Sequence, residues 1–312
     1  MSSIPLGCDH RFDRSAPEAG YAHPVTTAPA RPASTVVLAR PLRSGFELFL
    51  VRRGDAIAFM GGAHVFPGGR VDPHDYLEDP LRWCDGVPSV LARTPAAGAT
   101  EAVAHHVAAV RELFEEAGVL LARHRGGGIV PIRDDARDRF VQYRHRLIAG
   151  EITLLDIAAG ERVRFGLDML ALFANWVTPE VETRRFDTWF FLAPAPPAQD
   201  ASHHAHEASD GIWITPAAAI ERCLSGDLTL PPPTWTTLRA LAQFSDLNDA
   251  WTWANSRQVP RVQPRVNELA DGTREILLPG DAHHPPVPGF HASETRFVLK
   301  DGRWLPAGRE VG

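Results

Sequence analysis

Three glutamates within five positions form the group of residues with the clearest chemical potential in this sequence. Glu112, Glu115 and Glu116 lie in a segment, 100–121, whose apolar residues recur at steps of three and four. That period predicts one helix with a buried stripe, and it places the three carboxylates together on the opposite face. Carboxylates three and four positions apart repel each other, so the face favours a bound cation. Oxygen ligands of this kind suit Mg²⁺, with Mn²⁺ as the alternative.

Basic residues near these carboxylates are few. Arg111 stands four positions before Glu115 and can pair with it. Glu112 and Glu116 have no basic residue three or four positions away in either direction, so we expect both to be available to a metal ion. The competing interpretation is a solvated acidic face without a ligand, since acidic helix faces are common.

The segment VFPGGRVDPHD, at 65–75, carries the second set of candidates. Gly68 and Gly69 follow a short predicted strand, and we expect them to form a tight turn that brings this segment close to the helix. Residues 76–98 then mix acids, proline, glycine and tryptophan without a sustained period. Such a stretch predicts an inserted loop with one helical turn.

Together the two segments resemble the signature of the Nudix hydrolases, G-x5-E-x7-R-E-U-x-E-E-x-G-U, in which U is a bulky aliphatic residue. The run RELFEEAGV, from Arg111, matches the second half, and FPGGRVDPHD is similar to the first half. Counted from Gly69, the early glutamate of the signature falls on Asp75, a shorter carboxylate. The seven residues expected before Arg111 have become the 35 residues 76–110, so the signature is split by an insertion. Because closure entropy grows slowly with loop length, the two halves can still meet.

An insertion at this point also resembles the coenzyme A diphosphatase branch of the family, and the resemblance covers roughly residues 34–245. Segments similar to that branch occur in the same order: AHVFPGG at 63–69, AVRELFEEAGVLL at 109–121, RRFDTWFF at 184–191 and LPPPTWTTL at 230–238. This resemblance implies metal-dependent hydrolysis of a diphosphate linkage in a nucleoside diphosphate derivative. Coenzyme A or acyl-coenzyme A is the implied substrate, giving 3',5'-ADP and a 4'-phosphopantetheine product. The alternatives are a diphosphatase of ADP-ribose or NADH, and a non-catalytic Nudix-fold binding or regulatory module.

The resemblance also implies a fold and a set of site residues. The fold is α/β, a mixed, curled β-sheet sandwiched between helices, in which the signature presents metal to the diphosphate. Glu112 and Glu116 are the implied principal metal ligands, and Glu115 is a further ligand or the group that orients water. Sorted by role, the implied residues are Arg111, Glu112 and Glu115 in catalysis, Glu112, Glu115 and Glu116 on metal, and Gly68, Gly69, Arg184 and Arg185 on substrate.

Two assignments within this set stay open. Strand alternation lets at most one of Arg184 and Arg185 face the site. The family takes its general base either from the signature or from a later loop, and the candidates are Glu115, Glu180, Glu182 and Glu207.

Composition limits the partners of the chain. Its 312 residues, 44% hydrophobic and 22% charged, can bury the core of one large domain with appendages. A net charge of −6 gives no general attraction to nucleic acid or anionic membranes, so we expect a small-molecule partner at a local site. No apolar run approaches a membrane span, and the first residues lack the apolar centre of a signal peptide. Cys8, Cys84 and Cys223 are odd in number and widely spaced, which favours reduced thiols and a cytoplasmic location.

Three regions are predicted along the chain. Residues 1–33 read as an extended arm, 34–245 as the Nudix domain and 246–312 as a helical and β appendage. Whether the appendage caps the site or forms a homodimer contact is open. The predicted elements include a hairpin of 34–40 with 46–53, a helix over 133–150, paired strands at 172–179 and 186–194, a helix capped by Thr215, and a hairpin turn at Asp301-Gly302.

Overall fold

The structure is a computed structural model, and it describes residues 28–54, 61–94, 97–133, 135–201 and 208–308. The predicted arm up to residue 27 and the candidate base Glu207 lie outside these described residues. The first strand begins at Arg31, slightly before the predicted start of the domain.

The described residues form fifteen strands and eight α-helices. The strands are β1 Arg31–Pro41, β2 Phe46–Arg53, β3 His64–Val65, β4 Gly68–Arg70, β5 Cys84–Asp85, β6 Ala122–His124, β7 Val163–Gly166, β8 Ala171–Val177, β9 Phe186–Pro194, β10 Ala208–Ile214, β11 Arg261–Val262, β12 Arg265–Glu268, β13 Arg274–Leu277, β14 Arg296–Lys300 and β15 Arg303–Pro306. The helices are α1 Pro80–Trp83, α2 Val87–Arg93, α3 Ala99–Ala117, α4 Asp135–Ile148, α5 Leu154–Glu161, α6 Pro216–Leu224, α7 Pro232–Leu241 and α8 Leu247–Ser256. Among the described helices, none has the length and apolar character that crossing a membrane requires.

A mixed sheet lies at the centre of the described protein. Its strand order is β10-β2-β1-β9-β8-β11, with β3 paired to β2 and β4 paired to β1. β1 runs antiparallel to β2 and parallel to β9, and β8 runs antiparallel to β9. The predicted mixed α/β sheet, its first hairpin and its later pair of strands are therefore confirmed.

Helices cover both faces of this sheet, because side chains on β1 alternate between two cores. Val36 and Leu38 pack into a core that contains α3. Val37 and Ala39 pack into a second core that contains α6, α7 and α8. The helix with the signature carboxylates therefore lies on one face, and the C-terminal helices lie on the other.

The insertion between the two halves of the signature is folded, so the prediction of a loop with one helical turn is wrong. It contains α1, β5 and α2, and β5 pairs in parallel with β7. Val87 and Val90 of α2 are buried in the first core. Each element is too short to show a sustained hydrophobic period, which is why the sequence pattern did not reveal them.

Arg164 of β7 holds this insertion in place. Its Nε donates to Oδ1 of Asp85 at 2.6 Å. Its Nη atoms donate to three backbone carbonyls, those of Leu81, Arg82 and Cys84. One guanidinium thus satisfies three backbone acceptors at the end of α1 and the start of β5.

The C-terminal residues form a second sheet, β12-β13-β14-β15, that shares the second core with the central sheet. Phe297 and Leu305 are its buried anchors. The predicted hairpin turn is confirmed, since Asp301 and Gly302 have φ values of 48° and 75° between β14 and β15.

Candidate active site

The helix α3 carries the signature carboxylates, and its apolar stripe is buried as predicted. Val103, Val107, Val110 and Phe114 pack into the first core. Gly118 ends the helix in the left-handed region, with φ of 70°, and its N–H donates to the carbonyl O of Phe114 at 3.0 Å. This glycine stop makes the helix shorter than the apolar pattern suggests.

An ion pair between Asp75 and Arg111 joins the two halves of the split signature. Nε of Arg111 donates to Oδ1 of Asp75 at 3.0 Å, and Nη2 donates to Oδ2 at 2.9 Å. Nη2 also donates to the carbonyl O of Arg70 at 2.8 Å. Asp75 is held from its own side as well, because the N–H of Asp72 donates to Oδ2 at 2.7 Å. Such paired, charge-assisted bonds fix the plane of the guanidinium.

Arg111 also binds two of the three glutamates. Its Nη1 donates to Oε1 of Glu112 at 2.8 Å and to Oε2 of Glu115 at 3.1 Å. The expectation that Glu112 has no basic partner is therefore wrong, because it considered only residues three and four positions away. The long arginine side chain, fixed by Asp75, reaches its immediate neighbour instead. Each glutamate keeps a second oxygen to which Arg111 donates no hydrogen bond.

Gly68 and Gly69 lie in β4, paired with β1, so the prediction of a tight turn at these residues is wrong. The glycines allow close approach instead. The N–H of Gly68 donates to Oε2 of Glu116 at 2.9 Å. A Cβ added to Gly69 would stand 2.5 Å from Oε1 of Glu112. The backbone of β4 therefore lies directly against two of the three carboxylates.

Arg144 of α4 is a functional candidate that the sequence did not suggest. Its Nε donates to the backbone carbonyl of Glu115 at 2.7 Å, and its side chain is buried. Burial lowers the pKa of Arg144 to about 10, and the charges of Glu116 and Glu115 oppose this. The helix α4 was predicted, but nothing in its pattern singles out one arginine among several.

Burial and mutual repulsion make these carboxyl groups reluctant to ionise. Burial, followed by the charges of Glu115 and Glu116, raises the pKa of Glu112 to about 8, although Arg111 opposes the shift. Burial is also the largest cause that raises the pKa values of Asp75 and Glu115, again against Arg111. A carboxyl group in this condition is one that an added cation would stabilise in its charged form.

Two buried histidines, His105 and His106, lie where the first half of α3 packs on the sheet. The ring of His105 stacks on Trp189 of β9, with centroids 4.3 Å apart and planes 6° apart. Oγ of Ser34, on β1, donates to the carbonyl O of His105 at 2.8 Å. His106 hydrogen bonds through Nδ1 to the carbonyl O of Ala102. Burial lowers the pKa of His105 to about 4 and that of His106 to about 3, so both are neutral near pH 7.

The remaining predicted site residues lie apart from this cluster. Arg185 is buried and donates to the backbone carbonyls of Thr178 and Ala28, and Arg184 is exposed. Within the described residues, no hydrogen bond or ion pair connects either arginine to the carboxylates.

Of the other candidate bases, Glu182 pairs with Arg274 at 3.3 Å. Glu180 is exposed. The carboxylate cluster on α3 is therefore the part of the predicted site that the fold assembles.

The cluster fits a divalent cation by donor type and by charge. Four carboxyl groups face two guanidinium groups, which leaves two excess negative charges when all are ionised: Asp75, Glu112, Glu115 and Glu116 against Arg111 and Arg144. As placed, no three His, Cys, Asp or Glu side chains of the described residues are gathered at metal-holding distance. Binding by Glu112, Glu115 and Glu116 would therefore require their carboxylates to turn toward one point.

A mixed sheet between helices, with a carboxylate-bearing helix against a glycine strand, defines a hydrolase of the Nudix fold. A solved structure, a Nudix hydrolase from Alicyclobacillus acidocaldarius, is similar over 72% of this chain and 96% of its own, with a TM-score of 0.61 and 28% identity. The family described as the NUDT19 Nudix domain matches residues 87–241.

Two curated relatives are similar over most of the chain. The acyl-coenzyme A diphosphatase NUDT19 of Homo sapiens is 33% identical over 330 residues, covering 91% of this chain and 84% of the relative. The protein of the same name from Gallus gallus is 30% identical over 286 residues, covering 78% of this chain and 74% of the relative. The chain belongs to the NUDT19 family of Nudix hydrolases, as the split signature indicated. Nudix hydrolases generally use divalent metal ions.

Proposed function

We propose that this protein hydrolyses the diphosphate linkage of coenzyme A or an acyl-coenzyme A. Water adds to one phosphorus atom and the P–O–P bridge breaks, which releases 3',5'-ADP and 4'-phosphopantetheine or its acyl form. The single observation that carries the proposal is the guanidinium of Arg111, which binds Asp75, Glu112 and Glu115 together and so reunites a signature split by an insertion. The names of the human and chicken relatives support the choice of substrate.

Mg²⁺ is the proposed cofactor, with Mn²⁺ as the alternative, and Glu112, Glu115 and Glu116 are its proposed ligands. When bound, the cation would polarise a phosphoryl oxygen and lower the pKa of the attacking water. The donor set of carboxylate oxygens on a rigid helix supports this choice.

The residues of the chain have distinct proposed roles. Arg111 orients Glu112 and Glu115 through Nη1 while Asp75 fixes its plane. Glu115 is proposed either as a further ligand or, where it does not bind the cation, as the general base that orients the water, because Arg111 donates to only one of its oxygens. The backbone of Gly68 and Gly69, which lies against Glu116 and Glu112, is the proposed substrate contact beside these carboxylates. Of the two arginines, Arg184 is the proposed phosphate contact, because it is exposed whereas Arg185 is buried and bonded to backbone carbonyls.

The test is a hydrolysis assay on the purified full chain. Coenzyme A, an acyl-coenzyme A, ADP-ribose and NADH are compared at equal concentration with Mg²⁺ or Mn²⁺, and products are identified by mass spectrometry. We expect turnover of the coenzyme A substrates, and a loss of about 100-fold or more in Glu116→Gln. Glu268→Gln removes a carboxylate from an exposed position on β12 and should leave the rate unchanged. Faster hydrolysis of ADP-ribose or NADH would contradict the proposed coenzyme A substrate. Equal rates for Glu116→Gln and wild type would contradict the assignment of the active site to these glutamates.

Location and assembly are also proposed. The buried free thiols of Cys84 and Cys223 support a reducing, cytoplasmic compartment. A homodimer is the proposed assembly. The sedimentation coefficient of the purified chain, which should correspond to two copies, tests it.

A further inference from the structure

A cleft on the opposite face of the sheet from the carboxylates has aromatic walls and polar groups without protein partners. It lies where β8, α7, α8 and residues 289–291 meet, and it is open to solvent at its mouth. Phe173 and Trp176 of its wall belong to the second core, whereas α3 packs in the first. The cleft shares no lining residue with the carboxylate cluster.

Four of the residues that line this cleft each carry a buried polar atom that makes no hydrogen bond within the part of the chain that the structure describes. Nε1 of Trp176, Oγ1 of Thr236, Oγ1 of Thr237 and Nε of Arg257 make no hydrogen bond to any described residue, and all four residues line the cleft. They are four of the six buried side-chain atoms in this condition within the described ranges, so the condition is concentrated here. Threonines inside helices usually return the hydroxyl to a carbonyl one turn earlier, and buried polar groups are almost always bonded.

Arg257 gives the cleft a positive charge that no described carboxylate in its lining balances. Its guanidinium lies 3.9 Å from the ring centre of Trp253 and 5.4 Å from that of Phe173, and Nη2 donates to the carbonyl O of Phe173. Among the residues that the structure describes, no Asp or Glu lines the cleft. Burial lowers the pKa of Arg257 to about 10, so the group is charged at neutral pH. A desolvated guanidinium without a counter-charge favours an anion taken from solution.

We propose that this cleft binds a small organic monocarboxylate, with its charged group on Arg257, Trp176 and the two threonines and its apolar body between the aromatic rings. Indole and guanidinium N–H groups can only donate hydrogen bonds, which selects an acceptor. One guanidinium matches one negative charge, and the apolar walls disfavour a phosphate dianion. Phe173, Trp176, Trp253 and Phe290 supply the flat surfaces that bind a planar or aliphatic body.

The test compares 2-naphthoate with its uncharged amide, 2-naphthamide, by isothermal titration calorimetry on the full chain. We expect naphthoate to bind at least 10-fold more tightly than the amide. Arg257→Gln should abolish this preference, and Thr237→Val should weaken naphthoate binding several-fold while leaving the aromatic walls intact. Arg222→Gln, at an exposed position of α6, is the matched control and should bind as the wild type does.

Two further measurements locate the ligand. The indole N–H resonance of Trp176, assigned through Trp176→Phe, should shift on addition of naphthoate, and Glu116→Gln should bind naphthoate with unchanged affinity. Equal affinities of acid and amide, no binding of either, or equally tight binding of inorganic phosphate would overturn the proposal. Loss of naphthoate binding in Glu116→Gln would place the ligand at the carboxylates and would overturn it as well.

Discussion

Replacing Gly69 by alanine tests whether the glycine strand sets the position of the carboxylates. The added Cβ would stand 2.5 Å from Oε1 and 2.6 Å from Cδ of Glu112. An ordinary contact at Cβ is 3.4 Å or longer, so the carboxylate must retreat by about 0.9 Å. It can do so because it is the end of a flexible side chain, and Gly69 has no positive φ that alanine would strain.

We expect Gly69→Ala to lower kcat and to leave the stability of the fold almost unchanged. A displacement near 1 Å in a reacting constellation costs about 100-fold in rate, or about 2.7 kcal/mol of transition-state stabilisation. Alanine restricts the unfolded chain, so the free energy of unfolding should change by about 1 kcal/mol or less. We therefore expect a large loss of kcat with a nearly unchanged urea midpoint.

Two other glycines supply the controls. Gly126→Ala should have no effect on kcat, because a Cβ there meets nothing within 4 Å. Gly68→Ala should instead lower the free energy of unfolding, by about 1 to 3 kcal/mol, because its Cβ would meet the backbone of Ser34 and Thr35, which cannot move away.

A double variant sharpens the test. Glu112→Asp shortens the side chain that the new Cβ displaces, so adding Gly69→Ala to it should cost little more activity. If Gly69→Ala alone retains kcat within about threefold of wild type and binds Mg²⁺ equally well, the contact between β4 and Glu112 does not position the site.

Three other perturbations follow from the same contacts. Asp75→Asn should lower the free energy of unfolding by about 3 kcal/mol, measured in urea, because it leaves the buried charge of Arg111 with one partner fewer; an unchanged midpoint would contradict the pairing. Arg164→Ala should expose the insertion to proteolysis between α1 and α2, with kcat retained, and equal cleavage rates would show that the insertion has another anchor. His105 takes up a proton on unfolding between its native pKa of about 4 and the ordinary 6.5, so its contribution to stability is lost as pH falls through that window. The loss between pH 7 and pH 5 should be about 2 kcal/mol smaller in His105→Gln than in the wild type, and parallel pH profiles would refute the buried neutral ring.

Features set by local spacing were predictable from the sequence. The stripe of α3 depends only on the 3.6-residue period, and the cap at Thr215 on the residue types around one helix start, so both could be inferred without tertiary contacts. The contact of Arg111 with Glu112 could not, because neighbours along a helix do not normally face each other and the pairing depends on Asp75.

Features that depend on distant backbone atoms were not predictable. Arg144 reaches a carbonyl of α3 from a helix 29 positions away, and a bond to backbone leaves no trace in residue type. The same holds for Gly69, whose small size is required by a carboxylate 43 positions later and not by a turn.

The insertion is tolerated because a side-chain contact, and not closeness in the sequence, holds the two halves of the signature together. Replacing seven linking residues by 35 adds about 1.4 kcal/mol of closure entropy, whereas removing one partner of a buried ion pair costs about 3 to 5 kcal/mol. The longer link is therefore a small cost, and separating Asp75 from Arg111 would cost more because it would leave a buried charge without its partner. Because Asp75 is also bonded to the N–H of Asp72, the shorter carboxylate is presented to Arg111 in a fixed position. The insertion can consequently vary in length and structure without displacing the glutamates, provided that this pair remains.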